Sequence, residues 1–334
     1  MNVFRRFFVL ARFAGRTPRG QASTWAQRRR VWSSYHRPLP SGFPVMSFSH
    51  NIRTCLRKTA AASSIQKASR VFISSTTPST MRITPVPCLG DNYAYICEDS
   101  GGTAFVVDPV EPRKVLSTAE SLKAKIVALL TTHHHADHSG GNAAFVSAVP
   151  NTPVYGSDNR IPALTNVVKD GDGFSIGALE IKSLFTPCHT SGSVCFYVQD
   201  RETGGKAVFT GDTLFIGGCG RFFEGTAEQM QKSLNSVLAS LPDDTAVYCG
   251  HEYTKSNLKF AAHVDPTNPA VRAKADWCEN NACTVPSSIG EEKKFNPFMR
   301  VGDAAIKKQL GLAESASDVE VMGALRSAKD KFRG

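Results

Sequence analysis

The sequence predicts an α/β fold that ends in a helical segment. Three observations carry this expectation. From Met81 to about residue 252, short apolar runs alternate with helical patterns. Beyond that point strand signals stop, and segments such as NPAVRAKADWCENN and SDVEVMGALRSAKDKFR read as helices. Residue types that bind metals gather just past the ends of strand-like runs, where open α/β sheets collect their sites.

Taken in order, apolar runs of strand length lie at 82–87, 93–98, 103–107, 125–130, 152–156, 179–185, 194–198, 205–210 and 245–249. Helical periodicity covers 112–123, 141–148, 227–240 and 254–263. No repeat of fixed period is present. The expected division is a basic extension over 1–80, an α/β domain over 81–252 and a helical domain over 253–334.

The 334 residues carry a net charge of +10, but the excess is local. Residues 1–80 hold 14 Lys or Arg and no Asp or Glu, which leaves the remainder with 25 basic and 29 acidic side chains. The folded part is therefore mildly acidic, which argues against nucleic-acid binding. The first residues, MNVFRRFFVLARFAGR, interleave Phe4, Phe7, Phe8 and Phe13 with Arg5, Arg6, Arg12 and Arg16 as a basic amphipathic helix would. That composition is expected of an organellar transit peptide, and the early arginines favour the mitochondrial matrix over plastids. An internal start at Met81 would give a cytosolic form. His36 and His50 lie in this extension and are read as solvated. No apolar run reaches membrane-spanning length, and stable membrane association is not expected. Nine singly placed cysteines without a CxxC pair fit reduced thiols.

The segment TTHHHADHSGG (131–141) concentrates ligand-type side chains after the strand-like KIVALL. Alternate residues of extended chain point the same way, so His133 and His135 can share one metal. Asp137 and His138, past the bend, can face a second, whereas His134 points elsewhere. His189 in TPCHTSG, Asp212 in FTGDTLF and His251 in YCGHEYT each follow a strand in the same manner. Five imidazoles and two carboxylates are too many for one tetrahedral structural zinc and suit two metals with an open bridging position. A histidine-rich chelating tract is the rival reading, and the flanking strand and Gly-Gly oppose it. His263, inside a helical run, is read as surface or core. The donor set accepts zinc first, with iron or manganese as alternatives.

HHHADH resembles the HxHxDH motif of the metallo-β-lactamase superfamily, with the three later segments in that fold's order. Within it, DNYAYI (91–96), FVVDPVEP (105–112), TTHHHADHSGGN (131–142), VFTGDTLFIGGCGRFFEGT (208–226), YCGHEYTKSNLKFA (248–261) and FNPFMRV (295–301) look like glyoxalase II, the hydroxyacylglutathione hydrolases. The resemblance covers 81 to about 334. It implies an αββα sandwich followed by a helical substrate-binding domain. It also implies one metal on His133, His135 and His189, a second on Asp137, His138 and His251, and Asp212 bridging both. Asp108 in VVDP would accept a hydrogen bond from a ligand histidine, or simply make the turn before Pro109.

The resemblance further assigns glutathione contacts to Arg221, Tyr253 and Arg300, with Asn257 nearby. The family's usual tyrosine is replaced by Phe223. The cation that usually follows the NPFMRV arginine is absent, with Gly302 and Asp303 there and Lys307 and Lys308 further on. GGCGRF reads as a tight substrate loop rather than a phosphate loop. The implied activity is hydrolysis of S-D-lactoylglutathione and related S-2-hydroxyacylglutathiones by a hydroxide between two divalent ions, in a chain acting as a monomer. A mononuclear iron glutathione-persulfide dioxygenase on the same fold is the alternative. An inactive metal-binding scaffold is a third reading, opposed by seven intact ligands.

Overall fold

A computed structural model describes residues 81–334; the targeting role expected of 1–80 lies outside the described residues. The chain first lays down β1 (Arg82–Cys88), β2 (Asn92–Glu98) and β3 (Thr103–Val107) as an antiparallel meander. It then adds β4 (Lys125–Leu130), β5 (Val154–Gly156) and β6 (Asn166–Val167) in parallel, in the order β1 to β6. The crossovers carry α1 (Pro112–Leu122) and, after a single helical turn, α2 (Ala136–Ser139), α3 (Asn142–Ala148). Helix α1 starts on Pro112, whose fixed φ suits a first turn, and buries Val115 and Ala119, four residues apart on one face.

The second sheet begins with β7 (Gly173–Ile176), β8 (Leu179–Phe185), β9 (Val194–Asp200) and β10 (Lys206–Gly211), all antiparallel. A small hairpin follows, β11 (Leu214–Phe215) with β12 (Gly218–Cys219). Next comes a helical stretch, α4 (Ala227–Gln231), opened by a Thr226–Gln229 capping box and widening into a π turn over Lys232–Val237. It returns the chain to β13 (Ala246–Cys249), parallel to β10. In β8 the alternation of LEIKSLF is visible directly: Leu179 and Ile181 are buried, while Glu180 and Lys182 face solvent.

Helices α5 (Thr254–Val264), α6 (Pro269–Glu279), α7 (Ile289–Phe295), α8 (Ala304–Gln309) and α9 (Asp318–Lys331) complete the chain. The expectation of a purely helical end needs one correction. Ser287–Ser288 forms β14, which pairs with β13 and extends the second sheet. A two-residue strand is too short to leave a periodic trace in the sequence.

Three apolar clusters define the layers. Tyr95, Phe105 and Leu130 of one sheet meet Ile181, Phe196 and Phe209 of the other, with the Tyr95 and Phe209 ring centroids 5.4 Å apart. Val115, Ala119 and Phe145 pack beneath the first sheet against Val106 and Leu129. Phe260, Ile289, Phe298 and Leu325 cover Val208 and Val247 of the second sheet. The result is an αββα sandwich with the C-terminal helices seated on its second sheet. Among the described residues no helix is long and apolar enough to cross a membrane.

Candidate metal centre

The ligand-type side chains converge at one rim of the sandwich. Past β4 the chain bends at Thr132 and enters α2 after His135, which places His133 and His135 on the connecting loop and Asp137 and His138 on the helical turn. His189 comes from the β8–β9 loop, Asp212 follows β10 and His251 follows β13. Backbone bonds tie the two sheets together at this rim: Val194 N–H donates to Thr132 C=O at 3.0 Å and Tyr93 N–H to Gly250 C=O at 2.9 Å. The space left is small. A Cβ on Gly250 would lie 2.5 Å from Asp212 Oδ1 and 2.7 Å from His138 Cε1, so the position admits no side chain.

Two triads form. His135 Nδ1 lies 3.1 Å from His133 Nε2 and 3.0 Å from His189 Nε2. His251 Nε2 lies 3.2 Å from His138 Nε2 and 3.5 Å from Asp137 Oδ2. Asp212 stands between them, with Oδ1 3.3 Å from His138 Nε2 and Oδ2 3.4 Å from both His189 Nε2 and His251 Nε2. Four imidazoles are held from behind through Nδ1. Asp108 Oδ2 is 2.9 Å from His138, Asp91 Oδ1 is 2.9 Å from His251, the Arg221 C=O is 3.0 Å from His189 and Thr132 Oγ1 is 3.1 Å from His133. A proton held on Nδ1 by the carboxylate or carbonyl leaves the Nε2 lone pair of His138, His251 and His189 aimed inward. Asp212 Oδ1 is buried and accepts no hydrogen bond. Converging lone pairs and an orphaned carboxylate oxygen are what a divalent cation would satisfy, so the residues fit the metal the sequence implied.

A cavity of about 440 Å³ opens beside His189 and Asp212. Of the expected substrate residues it contains Arg221, Phe223 and Tyr253. The Tyr253 ring stacks on His251 at 4.6 Å, and Phe223 is 60% exposed with its ring 5.1 Å from His189. Arg300 is not brought there. Its guanidinium is clamped between Asp265 and Asp303, which makes it a structural ion pair. Asn257 is buried outside the lining and donates to the Ile216 C=O at 3.1 Å. Lys307 is also elsewhere, on the Glu314 C=O, and Lys308 is not in the lining. Further cations in the lining were missed in the sequence: Arg326 and Lys329 of α9, and Arg333 just beyond it, together with Asp330, which pairs with Arg221 and Arg326.

Residues 88–251 match the metallo-beta-lactamase superfamily model, and 252–332 match that of the hydroxyacylglutathione hydrolase C-terminus. The chain is 48% identical over 261 residues to the cytoplasmic hydroxyacylglutathione hydrolase of Arabidopsis thaliana, an alignment spanning 76% of this chain and all of the relative. A hydroxyacylglutathione hydrolase of Dictyostelium discoideum is 41% identical over 268 residues, covering 75% of this chain and 100% of the relative. The chain belongs to the hydroxyacylglutathione hydrolase family. Among solved structures, ETHE1 from Myxococcus xanthus superposes with a TM-score of 0.54 at 26% identity, covering 75% of this chain and 91% of that one.

The charge state of this hydroxyacylglutathione hydrolase centre follows from its packing. Burial, reinforced by neighbouring imidazoles, pushes His133, His135 and His189 below the ordinary histidine range, so they stand neutral and ready to donate lone pairs. Burial also works against charge on His138 and His251, but Asp212 outweighs it at both, helped by Asp108 at His138, and their affinity for protons is raised. Asp212 in turn is held well below the carboxylate range: burial opposes this and His138 and His251 overcome it. A divalent cation must displace those protons, so metal binding releases protons and weakens as pH falls. Of the residues behind the ligands, Asp108 was anticipated. Asp91 and Asn92, whose Nδ2 donates to the Asp137 C=O at 3.0 Å, were quoted only as part of a motif.

Proposed function

We infer that this chain hydrolyses the thioester of S-D-lactoylglutathione and related S-2-hydroxyacylglutathiones, releasing glutathione and the 2-hydroxy acid. The observation that carries the reading is the pair of triads sharing Asp212, set beside a cavity walled by Arg221, Arg326 and Lys329. We propose two divalent ions, zinc first, one on His133, His135 and His189, the other on Asp137, His138 and His251, with Asp212 common to both. Held there, they would supply Lewis acidity and lower the pKa of water between them towards neutrality.

The chain's own groups do the rest. Guanidinium and ammonium groups on the cavity wall attract the carboxylates of the glutathionyl moiety, with arginine able to fork onto a carboxylate. Tyr253 and Phe223 give that moiety apolar walls on either side of the path to His189 and Asp212. The thioester carbonyl is thereby presented to the triads, and a thiolate leaves without strong protonation. The proposed division of labour is hydrolysis over 81–252 and substrate binding over 253–334, with β14 joining the two. Steady release of free thiol from S-D-lactoylglutathione by the purified protein tests the reading; absence of turnover with a full complement of metal would overturn it. Oxygen uptake with glutathione persulfide would instead favour the dioxygenase alternative, which the second triad of Asp137, His138 and His251 opposes.

By the family resemblance, Phe223 takes the place of a tyrosine that would offer its hydroxyl to glutathione. Phe223→Tyr is expected to lower KM about three- to tenfold, as one regained hydrogen bond of ordinary net strength would, with kcat nearly unchanged because the contact is remote from the reacting carbon. Arg221→Ala should raise KM several-fold while both triads keep their metal. Steady-state kinetics and metal analysis decide both.

Lys329 gives the cavity a pH dependence. Burial, with help from Arg326, pushes its ammonium down to about 8. Below that value the side chain is charged and attracts a carboxylate; above it the charge is lost. KM should therefore rise as pH passes about 8 while kcat stays level, and Lys329→Arg should flatten the rise. A KM indifferent to pH across that value would refute the role.

We also propose that residues 1–80 direct the chain to mitochondria, supported by their Arg-rich, acid-free composition. A reporter fused behind 1–80 should colocalise with a mitochondrial marker; a diffuse cytosolic signal would sink the proposal.

A further inference from the structure

Beneath the β11–β12 hairpin lies a carboxyl group that the hydrolytic chemistry does not use. Glu292 of α7 is fully buried, beside the buried Asn296. Burial pushes its carboxyl up to about 7, so keeping a charged form there is costly. A carboxyl is kept in such a place only where it satisfies buried donors.

Its contacts supply such donors. Glu292 Oε2 accepts the Gly217 N–H at 2.9 Å and Asn296 Nδ2 at 2.9 Å. Asn296 Nδ2 in turn lies 3.2 Å from the Phe215 C=O and 3.0 Å from the Gly218 C=O. Gly217 turns the hairpin with φ +68°, and Asn257 Nδ2 donates to the Ile216 C=O. Side chains of the C-terminal segment thus bond the Gly217 N–H and the Phe215, Ile216 and Gly218 carbonyls, in addition to the hairpin's own pairing. Both ends of the hairpin enter the hydrolytic centre. Asp212 precedes it by two residues. At the other end, Gly220 N–H returns to the Thr213 C=O at 3.3 Å, and the Arg221 C=O receives His189 Nδ1.

We propose that Glu292 is a positioning residue for hydrolysis: through the Gly217 N–H and Asn296 it fixes the hairpin that sets Asp212 at one end and Arg221 with His189 at the other. The proposal rests on the metal reading of Asp212. What it adds is that the helical segment places a metal ligand as well as walling the substrate cavity.

Glu292→Met and Glu292→Gln in the full-length protein test it. Methionine matches the length but accepts no hydrogen bond. Glutamine keeps one acceptor oxygen, and its amide nitrogen can take the place of Oε1, which accepts no hydrogen bond. The Met variant should show faster amide exchange across 212–221, less bound metal and a kcat lower by about tenfold or more, since small misplacements of reacting groups cost that much. The Gln variant should stay within about threefold of the parent on all three, because the acceptor is what positions the hairpin. A folded Met variant with parental exchange, metal and kcat overturns the proposal. So does a folded Gln variant as impaired as the Met one, which would make the charge rather than the hydrogen bond the requirement. Should the Met variant fail to fold, Asn296→Ser, which withdraws the donor from the Phe215 and Gly218 carbonyls, takes its place under the same two outcomes. Failure of the underlying reading would look different: the parent itself would release no thiol.

Discussion

Asp212→Ala is expected to leave a folded chain that holds less metal at both triads and has lost at least about a hundredfold in kcat, beyond the cost of losing an outer-sphere partner alone. The fold should survive because the side chain lies against other ligand-type residues: Oδ1 is 3.3 Å from His138 Nε2, and Oδ2 is 3.4 Å from His189 and His251. Removing the carboxylate takes away the charge that favours protons on His138 and His251, and both imidazoles can fall neutral without a buried charge being stranded. The deficit is therefore in cation binding rather than in packing. Metal analysis after exhaustive dialysis, with circular dichroism as the folding control, measures it. A variant that retains the parental metal content and rate would remove Asp212 from the shared position.

The second large effect is expected from Asp108→Asn, which changes no volume. Asp108 Oδ1 accepts the Thr132 N–H at 2.9 Å, and Oδ2 accepts Thr132 Oγ1 at 2.7 Å and faces His138 Nδ1 at 2.9 Å. In the variant the amide oxygen must stay on the Thr132 N–H, because an amide nitrogen there would meet a donor. That puts the NH₂ group against His138 Nδ1 and moves the ring proton to Nε2, the atom that faces the triad. The logic is that of a triad aspartate whose amide holds its histidine in the wrong tautomer. A loss of about 10- to 100-fold in metal affinity is expected, with activity recovering in part at high metal concentration. Metal titration of the stripped variant and parent would show it; equal affinities would mean that Asp108 only shapes the turn before Pro109.

The parts of this site that were readable in the sequence are the parts that are local. HHHADH crowds ligand-type residues into one strand end, a density that no core or surface requirement produces, and the three later ligands repeat the same strand-then-ligand pattern. Residues whose role exists only through distant neighbours left no such trace. Glu292 and Asn296 are ordinary helix-end residues until the hairpin is folded against them. Arg326 and Lys329, three apart on α9, look like ordinary helix cations, and only the seat of α9 beside Cys219 brings them to the cavity. Arg300 lies outside the cavity for the opposite reason. It sits in a recognisable motif, but Asp265 and Asp303, which claim it, come from other segments. In the fold, strands of four or more residues were legible as apolar runs except Gly173–Ile176, half of which is exposed. The two-residue pairings β6, β11, β12 and β14 are too short for any period and arise from tertiary contact alone.

Each triad draws on both sheets: His133 and His135 leave the first and His189 the second, while Asp137 and His138 leave the first and His251 the second. A cation in either triad is therefore a staple across the sandwich as well as a reagent. It binds the assembled form and not the open chain, so its affinity becomes stability by mass action. The triad of Asp137, His138 and His251 is complete only with β13 beside β10, and β13 is the last strand longer than two residues in either sheet. A chain without metal keeps the backbone bonds that join the sheets at this rim and lacks only the added stability that a bound cation would lend.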